Sequence, residues 1–110
     1  VGLDIERLGR IKEKLYDKFF TPSELASINE MTDWEAETIV FSAKESIYKA
    51  IYCMLRRYVN FKEVELTLNT EDSSFSVSYL GENMTSLQNH KTCGYWSVCK
   101  GHVLTVVEIR

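Results

Sequence analysis

The pattern of apolar and polar positions changes period partway along the chain. From Leu8 to Met54 apolar residues recur mostly at spacings of three and four, whereas from Val64 onward they alternate with polar ones. The first pattern belongs to helices burying one stripe, the second to half-buried strands. Val1 to Ile5, within "VGLDIE", precedes both and reads as a short buried strand. Leu8, Ile11 and Leu15 then predict a helix from Glu6 to about Asp17. In "TPSE", Thr21 as N-cap, Pro22 at the first helical position and Glu24 three residues after the cap form a capping box, opening a helix to about Met31. "TDWE" repeats the device with Thr32 and Glu35. It starts a long helix to about Arg57 with Ile39, Ala43, Ile47, Ala50 and Met54 as its buried stripe.

In the second half, "VELTL" (Val64 to Leu68) and "FSVSYL" (Phe75 to Leu80) flank the turn cluster "NTEDS". A polar loop runs from Gly81 to Thr92, after which "YWSVC" and "HVLTVVEI" flank a hairpin turn at Lys100-Gly101. One strand, three helices and a four-strand antiparallel run predict an α+β fold, with an antiparallel sheet packed against one long helix.

Composition narrows the setting. The 110 residues, 45% apolar with one proline, suffice for a single domain burying roughly two-thirds of its unfolded surface. A net charge of -3 argues against general nucleic-acid binding, which needs a basic footprint. No apolar run reaches the length of a membrane-spanning helix. Cys53, Cys93 and Cys99 are odd in number, lack CxxC spacing and make no zinc set with His90 and His102, so reduced thiols in a cytoplasmic protein are expected. Neither histidine has a triad-like pattern around it. The chain opens without an initiating methionine and is expected to be a piece of a longer one.

The charges inside "FSAKESIYKA" (Phe41 to Ala50) stand out, because Lys44, Glu45 and Lys49 interrupt the most apolar helix near its middle. Asp4 and Glu6 are two apart, so a strand points both to one side. Glu45 and Lys49 are four apart and share a helical face. Magnesium is commonly held by one or two carboxylates together with substrate phosphates and water, so Asp4, Glu6 and Glu45 suit that ion, with Lys44 and Lys49 meeting the phosphates. Spacing alone leaves another reading open. A D-x-E at a strand end is usually solvated surface, and a Glu-Lys pair on a helix is usually a surface ion pair contributing about 0.3 to 0.5 kcal/mol.

The joint arrangement is more specific. "GLDIE", followed by "FFTPSEL", "FSAKESIYKA" and "YWSVCKGHVLTVV", resembles the signatures of the 4'-phosphopantetheinyl transferase superfamily over nearly the whole chain. The resemblance implies an enzyme that moves the phosphopantetheine arm of coenzyme A onto a serine of an acyl or peptidyl carrier protein, releasing adenosine 3',5'-bisphosphate. It implies Asp4, Glu6 and Glu45 as magnesium ligands. Glu45 would help remove the serine proton, Lys49 would contact the phosphates and the leaving group, and Lys44 would hold coenzyme A. Trp34, Trp96 and the six tyrosines are expected to serve the core, the alternative for Trp96 or Tyr48 being a place beside the pantetheine channel. Arg7, Arg10 and Lys14, three and four apart on the first predicted helix, would meet an acidic carrier. Surfactin-type members are about twice this length and built of two halves, and the short synthase type completes its site as an oligomer. The wording of the motifs is similar to the carboxyl-terminal half of the former. A coenzyme A-binding or carrier-docking half-module without catalysis is the alternative.

Overall fold

The chain folds as strand β1 (Gly2–Arg7), a short 3-10 turn (Glu13–Leu15) leading into the single-turn helix α1 (Tyr16–Phe19), helices α2 (Pro22–Glu30) and α3 (Ala36–Leu55), and strands β2 (Val64–Asn69), β3 (Ser74–Tyr79), β4 (Thr92–Cys99) and β5 (His102–Ile109). A computed structural model describes residues 1–9, 11–30, 35–56, 60–81 and 87–110. The strands form one five-stranded antiparallel sheet in the order β1-β5-β4-β3-β2, and the α+β class read from the sequence holds.

Helix α3 crosses the inner face of the sheet. Ile47 and Ile51 from the helix are fully buried with Val64 of β2 and Val103 and Val107 of β5. Burying such side chains stabilises by about 1.5–3 kcal/mol each, and this layer holds the two halves of the chain together. The helix ends at Arg56, which adopts a left-handed conformation (φ 55°) and closes the last turn by donating its N–H to the Tyr52 carbonyl. Met54, expected in the buried stripe, is 42% exposed in the last turn of α3, whereas Ile51 just before it is still fully buried.

Strand β1 reverses its expected polarity. Gly2, Asp4 and Glu6 face inward while Leu3 and Ile5 are exposed. The cause is local. A Cβ added at Gly2 would lie 1.8 Å from the Ser46 carbonyl oxygen, so β1 is pressed against the backbone of α3 through a residue with no side chain. Alternation then carries Asp4 and Glu6 to the same inner side.

The helix expected from Glu6 to Asp17 does not form. Glu6 and Arg7 stay in the sheet, opposite Val103 and His102, and Leu8 N–H donates to the Gly101 carbonyl at 2.9 Å. Strand pairing therefore overrides the helical spacing of Leu8, Ile11 and Leu15. Of these only Ile11 is buried. The expected basic stripe is likewise not helical: Arg7 is exposed at the end of β1, Lys14 is exposed in the 3-10 turn, and Arg10 lies outside the described residues.

Two local signals act as read. Thr21 Oγ1 accepts the Glu24 N–H at 3.2 Å while Glu24 Oε1 accepts the Thr21 N–H at 2.9 Å, a reciprocal capping box. The β4–β5 turn has positive φ at Lys100 (52°) and Gly101 (76°), as a two-residue hairpin requires. Thr32 of the second expected box and Trp34 lie outside the described residues.

Candidate active site

Asp4 is held between two turns of α3. Ser42 and Lys49 are seven residues apart, so they lie on the same helical face, and each takes a different oxygen of the carboxylate. Ser42 Oγ donates to Oδ2 at 2.9 Å, and Lys49 Nζ donates to Oδ1 at 3.0 Å and to the Leu3 carbonyl at 2.9 Å. Asp4 is 7% exposed while the Lys49 side chain is 55% exposed, so the lysine reaches in from solvent to an inward-facing acid. Thr105, directly opposite Asp4 in the β1–β5 ladder, completes the cluster with Oγ1 2.9 Å from Ser42 Oγ and 3.0 Å from the Ser42 carbonyl.

Glu6 points inward beside this cluster and is 7% exposed, and Glu45 is half-buried on α3 one turn before Lys49. Among the described residues no three His, Cys, Asp or Glu side chains converge closely enough to cage a metal. The donors here are hard carboxylate oxygens, Asp4 and Glu6 sharing one strand face. That set fits a magnesium ion completed by water and ligand oxygens rather than one enclosed by protein.

Lys44 takes a different place from the one expected. It is 0% exposed, and its ammonium is spent inside the protein, donating to the Phe19 carbonyl at 2.9 Å, the Phe61 carbonyl at 2.7 Å and Glu24 Oε1 at 2.6 Å. Burial pushes its pKa below the usual lysine value, against the bond to Glu24, which raises it. All three ammonium protons have acceptors. Lys44 therefore fastens α3 to α2 and to the chain before β2, inside the protein rather than at the surface where a contact with coenzyme A is expected.

Around Lys44 the rings of Phe19, Phe41, Phe61 and Tyr48 form an apolar wall, with Tyr48 4.7 Å from Phe61 and Phe19 4.8 Å from Phe61 between centroids. The Tyr48 hydroxyl is buried with no hydrogen-bond partner among the described residues. Burial, aided by the charges of Glu45, Glu63 and Glu24, holds its phenol far above the ordinary range. Trp96 is half-buried on the inner sheet face.

The remaining candidates stand apart. His90 and His102 are exposed, and among the described residues their Nδ1 atoms bond nearby carbonyls, at 2.9 and 3.0 Å. The three cysteines are free thiols. A cavity of about 610 Å³ opens where β3 and β4 diverge, lined by Ser74, Ser76, Thr92 and Cys93, and contains none of the Asp4 cluster.

Sequence reading missed Ser42, Thr105 and the partnership of Glu24 with Lys44. A weak signal existed for Thr105. In "HVLTVVEI" the inward positions are Val103, Thr105 and Val107, so one hydroxyl interrupts a row of valines.

An inward acid gripped by a long helix, on a sheet of this topology, defines an α+β unit of the holo-[acyl-carrier-protein] synthase shape. The Helicobacter pylori holo-[acyl-carrier-protein] synthase, solved in complex with coenzyme A, superposes with a TM-score of 0.77 at 20% identity, covering 99% of this chain and 98% of that one. The Neisseria meningitidis synthase gives 0.77 at 18% identity over 99% and 95%. Residues 1–107 match the 4'-phosphopantetheinyl transferase superfamily, and the chain belongs to it. The 4'-phosphopantetheinyl transferase PptT of Mycobacterium tuberculosis is 26% identical over an alignment of 122 positions. These cover 97% of this chain and 51% of that protein, so the chain spans about half the length of the curated relative it matches. Among the described residues no helix is long and apolar enough to cross a membrane.

Proposed function

We propose that this chain carries the metal-binding and catalytic side of a transferase that moves 4'-phosphopantetheine from coenzyme A to a serine of an apo carrier protein in the cytoplasm. The observation that carries the reading is the contact between Asp4 and Lys49, which puts an inward carboxylate and a solvent-reaching ammonium at one point. Family membership and the likeness to a synthase solved with coenzyme A support it.

In this reading the serine oxygen attacks the phosphorus bearing the pantetheine arm. The new oxygen–phosphorus bond forms as the bond to the adenylate half breaks, and adenosine 3',5'-bisphosphate leaves. Glu45, half-buried and within the motif, accepts the serine proton directly or through a water. Lys49 turns from Asp4 to the diphosphate and neutralises the charge growing on the leaving group. Asp4, Glu6 and Glu45 would hold magnesium, which supplies further charge neutralisation at the phosphates when bound.

The outer face of the sheet supports a second statement. Ile5 and Leu104 are paired across β1 and β5 and are 64% and 44% exposed, with Leu3 and Tyr95 beside them at 55% and 53%. A contiguous apolar face of this kind marks an interface. We assign it to a companion half of similar fold in a longer chain, in keeping with the length of the mycobacterial relative.

The test is release of adenosine 3',5'-bisphosphate from coenzyme A in the presence of an apo carrier. Asp4→Asn should abolish release while leaving the fold intact. Undiminished release by that variant would overturn the assignment.

A further inference from the structure

Ser42 and Thr105 are both 0% exposed, polar, and placed at the back of the candidate metal-binding acid rather than in its open side. Each has one hydroxyl proton to give. Ser42 Oγ has two acceptors in reach, Asp4 Oδ2 at 2.9 Å and Thr105 Oγ1 at 2.9 Å. The ionised carboxylate is the stronger acceptor, so the serine proton goes to Asp4. Thr105 must then donate, and both acceptors available to it belong to Ser42: the Oγ at 2.9 Å and the carbonyl oxygen at 3.0 Å. The chain of donors therefore has one direction, from β5 through α3 to β1.

That direction has a consequence for Asp4. Its Oδ2 is pinned by a group that cannot leave, whereas its Oδ1 is engaged by Lys49, whose side chain is largely exposed. Only one carboxylate oxygen is therefore free to exchange partners. We infer that Ser42, oriented by Thr105, is a positioning residue that fixes the Asp4 carboxylate so that Oδ1 alone turns between Lys49 and a divalent cation. The inference rests on the transferase reading in one respect, that Asp4 is a cation ligand. Groups that hold a metal ligand from behind contribute to affinity although they never touch the ion, and their loss typically weakens binding about 10- to 100-fold.

The Thr105 position separates this role from simple packing. Thr105→Val keeps the shape and loses the hydroxyl, whereas Thr105→Ser keeps the hydroxyl and loses a methyl group. Manganese, a paramagnetic probe for a magnesium site, would be titrated into protein saturated with coenzyme A and its free fraction read by electron paramagnetic resonance. Thermal melting would be followed in parallel. Ser42→Ala should weaken manganese about 10- to 100-fold. Thr105→Val should weaken it measurably, and Thr105→Ser should match the wild type in manganese binding despite a lower melting temperature. Wild-type affinity in both Ser42→Ala and Thr105→Val, or equal losses in the two Thr105 variants, would overturn the inference and leave the transferase reading standing. Should Ser42→Ala fail to fold, the Thr105 pair decides alone. A wild-type protein that binds coenzyme A but no manganese would remove the cation role of Asp4, and this inference with it.

Discussion

Lys44 Nζ lies 2.6 Å from Glu24 Oε1, and neither side chain has any exposed surface. Glu24 also accepts the Leu66 N–H through Oε2 at 2.7 Å and the Thr21 N–H through Oε1 at 2.9 Å, so the pair ties α2, α3 and the edge strand β2 at one point. Removing one member of such a pair leaves a buried charge uncompensated. Lys44→Met should therefore destabilise the fold by about 3–5 kcal/mol in urea denaturation. Adding Glu24→Gln, which neutralises the stranded carboxylate and keeps an amide oxygen for one of the two backbone donors, should recover part of that loss. A Lys44→Met protein as stable as wild type would show that the pair does not hold these elements.

Gly2 is where β1 meets the backbone of α3. A methyl group there has nowhere to go, because the obstructing atom is the Ser46 carbonyl oxygen at 1.8 Å. Gly2→Ala should cost about 1–3 kcal/mol as the strand is pushed outward. Asp4 moves with the strand, so transfer activity should fall more than stability alone accounts for. Measuring turnover well below the melting temperature separates the two, and unchanged turnover would contradict the placement of Asp4.

Tyr48 offers the opposite sign. Its hydroxyl is buried with no partner among the described residues, so deleting it removes an unmet polar group. Tyr48→Phe should leave stability equal or higher near neutral pH. The pH dependence follows from the raised pKa of the folded phenol. Above about pH 10 the unfolded tyrosine loses its proton while the folded one keeps it. The folded state then binds more protons, and stability falls as pH rises, by up to about 1.4 kcal/mol per pH unit for one group. Below pH 10 the contribution is fully present. Denaturation curves between pH 9 and about 11.5 should thus show a shallower decline for Tyr48→Phe. Parallel curves would contradict this environment for Tyr48.

The outer sheet face gives a prediction whose sign depends on context. In the isolated chain Leu104→Asp should reduce self-association, as judged by light scattering, because it places a charge in an exposed apolar patch. In a longer chain carrying a companion half the same change should lower stability and activity by burying that charge. Tolerance of Leu104→Asp in the longer chain would show that the face is not covered.

What was legible in the sequence follows the range of the interactions concerned. The Thr21–Glu24 box, the hairpin at Lys100-Gly101 and most of α3 depend on neighbours a few residues away, and each formed where its motif stood. Asp4 and Glu6 share a face because strand alternation is equally local. Residues joined across the chain were not legible. Glu6 and Arg7 extend a strand because β5 is there to pair with them, which the spacing of Leu8, Ile11 and Leu15 cannot reveal. Leu3 and Ile5 face outward because Gly2 sets β1 against α3, inverting the usual association of apolar residues with the interior. Lys44 and Glu45 are adjacent in the motif and look equally suited to a ligand. The helix turns them about 100° apart, sending Lys44 to Glu24 while Glu45 keeps partial exposure. Ser42 gains its role only once β1 and β5 bring Asp4 and Thr105 beneath it.

The transfer itself is read from the mass of the acceptor. An apo carrier protein would be incubated with coenzyme A, magnesium and this protein, then weighed intact, with the Glu45→Gln variant and a longer chain carrying the companion half run in parallel. A gain of one phosphopantetheine group on the carrier, lost with Glu45→Gln, is the predicted result. An unmodified carrier with both the 110-residue chain and the longer one would rule out the proposed transfer.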